Sequence, residues 1–165
     1  MEALTRTALV ITASNRASAG VYEDRSGQIL FDGLTNLGYE IVRKLVLPDE
    51  IEQISAAIAA GISDEISLIV TTGGTGISPL DITPEATAPL IQKALPGVSE
   101  ALRAYAREKV PTTDLSRGLA GVANKSFIIN LPGSPGGAKD GLVIIERLAS
   151  HIHDQIDGHD HSASN

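Results

Sequence analysis

The chain has no cysteine and no tryptophan, a single methionine, and only five aromatic residues: Tyr22, Phe31, Tyr39, Tyr105 and Phe127. Without cysteine there is no disulfide, no thiolate metal site and no cysteine nucleophile. That absence is permitted in either redox compartment, and a cytoplasmic location fits it. With so few aromatics the core must be built from Ile, Leu, Val and Ala. The stacking platforms used to bind single-stranded nucleic acids are not expected. Basic residues are outnumbered, 13 Lys and Arg against 20 Asp and Glu, for a net charge of −7. This balance argues against a general nucleic-acid binder, which would present a basic face. It leaves anionic ligands open, because backbone N–H groups and a bound cation can hold phosphates on an acidic protein. No apolar run approaches the ~20 residues of a membrane span. The opening residues MEALTRTALVITA lack the organisation of a signal peptide and are expected to be mature protein.

What is present is globular material: 165 residues, 42% apolar and 20% charged, the size of one domain. We expect a single domain over residues 1–156 and a flexible tail over 157–165. Thr7–Ala13, Glu40–Leu47, Ser67–Thr72 and Ser126–Leu131 are short, β-rich and nearly continuous in apolarity, as strands buried on both faces should be. Between them, helical spacing places Leu30, Leu34 and Leu37 on one face of Ser26–Leu37, and Ile51, Ile54, Ile58 and Ile62 on one face of Glu50–Ile62. Thr83-Pro84-Glu85 has the form of a helix start, with Thr as N-cap. That helix is expected to run to about Leu95 and to break at Pro96-Gly97, before a second helix carrying Val98, Leu102 and Tyr105. A last helix covers Ala138–Gln155. Strands alternating with helices predict a three-layer α/β/α fold around a largely parallel sheet.

In such sheets ligands bind beyond the carboxyl ends of the strands. Four segments lie there: Ser14–Gly27, Pro48-Asp49, Thr71–Asp81 and Asn130–Gly137. Two of them are glycine-rich, Gly73-Gly74-Thr75-Gly76 and Pro132-Gly133-Ser134-Pro135-Gly136-Gly137. They are either backbone cradles for a phosphorylated ligand or tight turns that need glycine for geometry alone. Neither matches a P-loop or a dinucleotide fingerprint. Asp49 and Asp81 each follow a strand end. Two carboxylates converging there could hold Mg²⁺; alternatively Asp49 caps the next helix and Asp81 is a solvated turn residue, and spacing alone favours these ordinary roles. Arg16, Arg25 and Lys125 could offer positive charge to a phosphate, with surface solubility the plainer reading. A serine nucleophile at Ser116 would lack a base, since all four histidines fall at or after His151. His151 and His153 sit on different faces of a helix, and the histidines are expected to belong to a frayed end rather than to a metal site.

Six segments occur in an order that resembles one family. They are SNRASAGVYEDRSG at Ser14–Gly27, LPDE at Leu47–Glu50, TTGGTG at Thr71–Gly76, DITPE at Asp81–Glu85, LSR at Leu115–Arg117 and NLPGSP at Asn130–Pro135. Together they resemble the MogA/MoaB family of molybdenum-cofactor biosynthesis, related to one domain of gephyrin. The likeness covers about Thr7–Ser150. It implies a three-layer α/β domain, commonly a homotrimer, that transfers AMP from Mg-ATP to the terminal phosphate of molybdopterin and releases pyrophosphate. The product would be handed to a molybdenum-insertion protein of the MoeA type. By the same resemblance Asp49 and Asp81 handle Mg²⁺ and ATP. Ser116 serves pterin binding or catalysis. Ser14, Thr72, Gly73, Gly74, Thr75 and Gly76, with Asn130, Pro132, Gly133, Ser134 and Pro135, line the substrate and nucleotide sites.

The sequence departs from many relatives at Ser134, where Asn or Gln is common, which resembles the MoaB side; the RASAGVYED segment is closer to the MogA side. The alternatives are therefore a non-catalytic molybdopterin carrier of the MoaB type and a generic nucleotide-binding domain.

Overall fold

The computed structural model of the chain describes residues 4–159. Six strands form one sheet: β1 (Thr7–Ala13), β2 (Glu40–Leu47), β3 (Leu68–Thr72), β4 (Lys93–Ala94), β5 (Ala120–Ala123) and β6 (Ser126–Leu131). Their order is β2-β1-β3-β6-β5-β4. The pairings from β2 through β6 are parallel, and β5 and β4 complete the sheet antiparallel. The helices are α1 (Asn15–Ser18), α2 (Arg25–Asn36), α3 (Ile51–Ser63), α4 (Thr83–Thr87), α5 (Pro96–Arg107) and α6 (Pro135–Ile156), with 3-10 turns at Ala88–Leu90 and Pro111–Leu115.

The three expected layers are present. Side chains alternate along the central strands, so the sheet feeds two cores. Ala8, Val10, Leu68, Val70, Phe127, Ile129 and Leu131 pack with Leu30 and Leu34 of α2, Leu102 of α5 and Ile145 of α6. Leu9, Ile11, Ile69 and Ile128 pack on the other side with Ile54, Ile58 and Ile62 of α3 and Ala86 of α4. Leu37 and Ile51, expected to face inward, are exposed to 36% and 42% because each lies at a helix end, beyond the reach of the core.

The region after β3 departs from the sequence expectation. The helix at Thr83 stops at Thr87 instead of reaching Leu95. Pro89 has no N–H to give to the carbonyl of Glu85, so the α-helix gives way to the 3-10 turn and then to β4. Thr83 is the first helical residue and not the cap; the N-cap is Ile82. Pro96-Gly97 opens α5 rather than separating two helices. The hairpin β5–β6 has no strong sequence signal, because AGVA is small and its two-residue turn is Asn-Lys, with Asn124 at φ 50°. At the other end, α6 runs on to Ile156. His153 is consequently part of the core, 3% exposed, with its Nε2 2.8 Å from the Tyr39 hydroxyl, and not part of a frayed end. Burial drives its pKa down to about 4 and that of Tyr39 up to about 12. His151 lies on the outer face of the same helix. The expected tail lies outside the described residues from position 160 onward; Asp157 caps α6 and pairs with Arg6 at 2.8 Å.

Candidate functional site

The carboxyl ends of β1, β2, β3 and β6 meet at one edge, and the loops that leave them are tied to one another. After β1, Ser14 caps α1 by accepting the Ala17 N–H at 3.2 Å. Asn15 and Asp49 exchange two bonds: the Asn15 N–H donates to Asp49 Oδ2 at 3.2 Å, and the Asp49 N–H to Asn15 Oδ1 at 2.9 Å. Asp49 therefore does not cap α3, whose N-cap is Glu50. Asp24 does cap α2, accepting from Gly27 N–H at 3.0 Å and from the Thr12 hydroxyl at 2.9 Å.

The two glycine-rich loops lie back to back. The Thr72 hydroxyl donates to Pro132 O at 2.8 Å, and the Ser26 hydroxyl to Gly133 O at 2.8 Å. Gly73 and Gly74 have φ of 98° and 67°. A Cβ on Gly73 would stand 2.3 Å from the carbonyl oxygen of Ala13, and one on Gly133 3.1 Å from Gly73 Cα. Glycine is required here by backbone geometry, and the same close approach leaves a floor of exposed backbone.

Two cavities open at this edge, the first over that floor and the second on the Pro132–Gly137 loop. The first, of about 470 Å³, is lined by Ser14, Thr72, Gly73, Gly74 and both aspartates, with Gly133, Pro135 and Arg25 beside them. Asp81 also closes its own turn, accepting the Ser78 N–H at 2.9 Å. Burial pushes the Asp49 carboxyl above its ordinary value; the Asn15 N–H opposes the shift and the charge of Asp81 adds to it. The second cavity, of about 380 Å³, holds Ser116, Asn130, Pro132 and Ser134 against Leu102 and Tyr105, with Arg103, Lys109 and Lys139 around it. Ser134 caps α6 by accepting the Gly137 N–H at 3.0 Å. The Asn130 amide is buried, donating to the hydroxyls of Thr71 at 2.9 Å and Thr87 at 3.1 Å.

Thr75 and Gly76 line neither cavity. Thr75 is buried and its Oγ1 lies 3.3 Å from Ser116 Oγ. Of the three cations weighed from sequence, only Arg25 reaches the site. Arg16 is exposed and lines neither cavity, and Lys125 stands 3.9 Å from Asp157.

Sequence reasoning missed Arg117. Its backbone N–H bonds Thr75 O at 2.8 Å, and its guanidinium donates to Gly76 O and Asp81 O, each at 2.8 Å, and to the Glu85 carboxylate. It thereby holds both ends of the loop that carries Asp81, and it lowers the Glu85 pKa. The arginine of the LSR motif was legible in the sequence; its partners, 32 to 42 positions earlier in the chain, were not. Lys109 and Lys139 were missed because no motif marks them: Lys139 follows the second glycine loop directly, Lys109 comes just after α5, and the fold brings both to the second cavity.

Among the described residues no three His, Asp or Glu side chains converge as a metal site. A cation held here would rest on Asp49, Asp81 and oxygens of its ligand, the arrangement Mg²⁺ takes with phosphates. Two observations fit such a group: the buried Thr83 hydroxyl beside Asp49 has no hydrogen-bond partner, and the glycine backbone opens a cradle where a Cβ would clash.

Fold and site define an α/β domain with two neighbouring cavities at the carboxyl edge of its sheet. Residues 9–150 match the family described as a probable molybdopterin binding domain. A molybdopterin adenylyltransferase from Helicobacter pylori is 45% identical over 141 residues, 81% of this chain and 77% of the relative. A molybdenum cofactor biosynthesis bifunctional protein from Chlorobaculum tepidum is 36% identical over 157 residues, 95% of this chain but 50% of the relative, so the chain spans about half the length of that protein. The crystal structure of the tungsten cofactor synthesizing protein MoaB from Pyrococcus furiosus superposes with a TM-score of 0.87 at 34% identity, covering 94% of this chain and 99% of that one. The chain belongs to the molybdopterin-binding domain family of MogA and MoaB.

Proposed function

We propose that the protein is a molybdopterin adenylyltransferase. The observation that carries this reading is the placement of Asp49 and Asp81 over one glycine floor, directly beside a second cavity rimmed by cations. The acidic cavity suits ATP with Mg²⁺; the cationic one, with the N-terminus of the 22-residue α6, suits the phosphate and ring of the pterin. The relative named molybdopterin adenylyltransferase supports the same chemistry.

In the proposed reaction a terminal phosphate oxygen of molybdopterin attacks the α-phosphorus of ATP. The bond from that phosphorus to the β-bridging oxygen breaks, and pyrophosphate leaves with the electron pair. The nucleophile is already an anionic oxygen, so no strong base is needed. Alignment and charge neutralisation carry the step. Mg²⁺ supplies Lewis-acid polarisation of the phosphates when bound. Asp49 and Asp81 hold it, the Gly73–Gly74 and Gly133 backbone supports the phosphate chain, and Ser116 and Ser134 lie where the pterin side enters.

We further propose a homotrimer in the cytoplasm that passes its product to an insertion protein of the MoeA type. The surface supports an assembly: Val21, Ile77, Leu80, Val110 and Leu115 are each at least 50% exposed. No helix among the described residues is long and apolar enough to cross a membrane.

The test is pyrophosphate release on mixing protein, molybdopterin and Mg-ATP. Release that needs all three establishes the transferase. Pterin binding without release points to the carrier reading, which the likeness to a MoaB structure and Ser134 would then favour.

A further inference from the structure

Thr83 is fully buried, and its Oγ1 is the one buried side-chain polar atom among the described residues with no hydrogen-bond partner. The sequence suggests a helix cap, yet the hydroxyl caps nothing: α4 begins with Ile82 as N-cap, and the Thr83 N–H goes to Gly74 O at 3.1 Å. The hydroxyl lies against the Gly74 turn that floors the first cavity. A carbon placed on Gly74 would lie 2.4 Å from Thr83 Oγ1 and 3.3 Å from Asp49 Oδ1, so both oxygens flank the same point above the Gly74 turn. Asp49 Oδ2 is held by the Asn15 N–H at 3.2 Å, which leaves Oδ1 as the oxygen that faces Thr83. A donor without an acceptor and a carboxylate oxygen thus both border the space that a side chain on Gly74 would fill.

We propose that Thr83 is a positioning residue: its hydroxyl donates to Asp49 Oδ1 when Mg-ATP occupies the first cavity. This rests on the functional reading above. Carboxylates that hold a cation are generally fixed by a second hydrogen bond to an outer partner, and loss of that partner weakens metal binding about 10- to 100-fold. In the unliganded fold the hydroxyl is unpaired, which a buried donor tolerates only at a cost; a role in the loaded site accounts for its retention there.

The experiment is calorimetric titration of the full chain with ATP, in Mg²⁺ and in EDTA and without pterin, on wild type, Thr83→Val, Thr83→Ser and Asp49→Asn, with thermal melting of each. Valine keeps the shape and removes the hydroxyl. We expect Thr83→Val to melt at or above the wild-type temperature without ligand. It should bind Mg-ATP about tenfold more weakly, with the loss confined to Mg²⁺ buffer and reversed in Thr83→Ser. Wild-type affinity in Thr83→Val, an equal loss in EDTA, or a lower unliganded melting temperature would each overturn the proposal. If Asp49→Asn loses Mg-ATP while Thr83→Val does not, only this inference fails. If wild type binds no Mg-ATP at all, the functional reading fails and takes this one with it.

Discussion

Asp49 and Asp81 stand in the same cavity yet have different local duties. Asp49 is held by Asn15 across two loops, whereas Asp81 closes its own turn on Ser78. Asp49→Asn keeps the shape of the side chain and removes the charge. Pyrophosphate release should fall on the order of a hundredfold, the scale of losing one preorganised electrostatic contact, and Asp81→Asn should lose a comparable amount. The pH dependence has a definite sign. Because burial raises the folded-state pKa of Asp49, the folded protein binds this proton more tightly than the unfolded chain. Stability from this group therefore falls as pH rises through that window, and Asp49→Asn should melt higher than wild type at pH 7, with the difference closing toward pH 3. His153 acts in the opposite sense. Its folded pKa is about 4 against an ordinary 6.5, so the unfolded chain takes up the proton first on acidification. Stability should be lost between pH 6.5 and 4, and melting curves of His153→Gln over that range should be flatter.

At the scale of elements, the site depends on loops that cannot move independently. Gly73 approaches the end of β1 so closely that Gly73→Ala places a methyl against the Ala13 carbonyl while forcing a non-glycine residue to φ 98°. The expected loss is about 1–3 kcal/mol in denaturant unfolding, together with loss of ATP binding. Arg117 holds the Gly76–Asp81 loop through two carbonyl bonds of 2.8 Å. Its pair with Glu85 is partly exposed and contributes little by itself. Arg117→Gln should thus speed amide hydrogen exchange across Gly76–Asp81 and depress turnover, whereas Glu85→Gln should leave both nearly unchanged. A result in which the two variants behave alike would locate the anchor in the ion pair instead.

For the whole molecule, the sheet divides the chain into two cores and leaves one edge for chemistry. All parallel strands point the same way, so Ser14, Asp49, Thr72 and Pro132, drawn from four separate crossings, arrive at that edge together. Of the exposed apolar side chains, Ile77 and Leu80 are on the loop that carries Asp81, Val110 lines the second cavity, and Leu115 follows α5. If they are covered in a trimer, light scattering at micromolar concentration should give three times the mass of the chain, 17.2 kDa, and Leu80→Glu should shift it toward monomer. A wild-type monomer would remove that part of the proposal.

The four long strands and the helices over Arg25–Asn36 and Ile51–Ser63 were legible in the sequence because their burial is local in origin: continuous apolar runs and a 3.6-residue period. That the glycine loops and the two aspartates gather at one edge was legible too, since strand direction brings the segments after the strands together there. Tertiary structure decided the rest. Pro89 ended α4 and freed the chain to form β4, and AGVA became a strand by pairing with β6 and β4. His153 left the surface because α6 lays it against Tyr39, 114 positions earlier. The division of the site into an acidic and a cationic cavity, the grip of Arg117 on Asp81 and the unpaired hydroxyl of Thr83 all arise from contacts between residues distant in sequence. Local pattern records which side chains need burial; only packing determines which distant partners they meet.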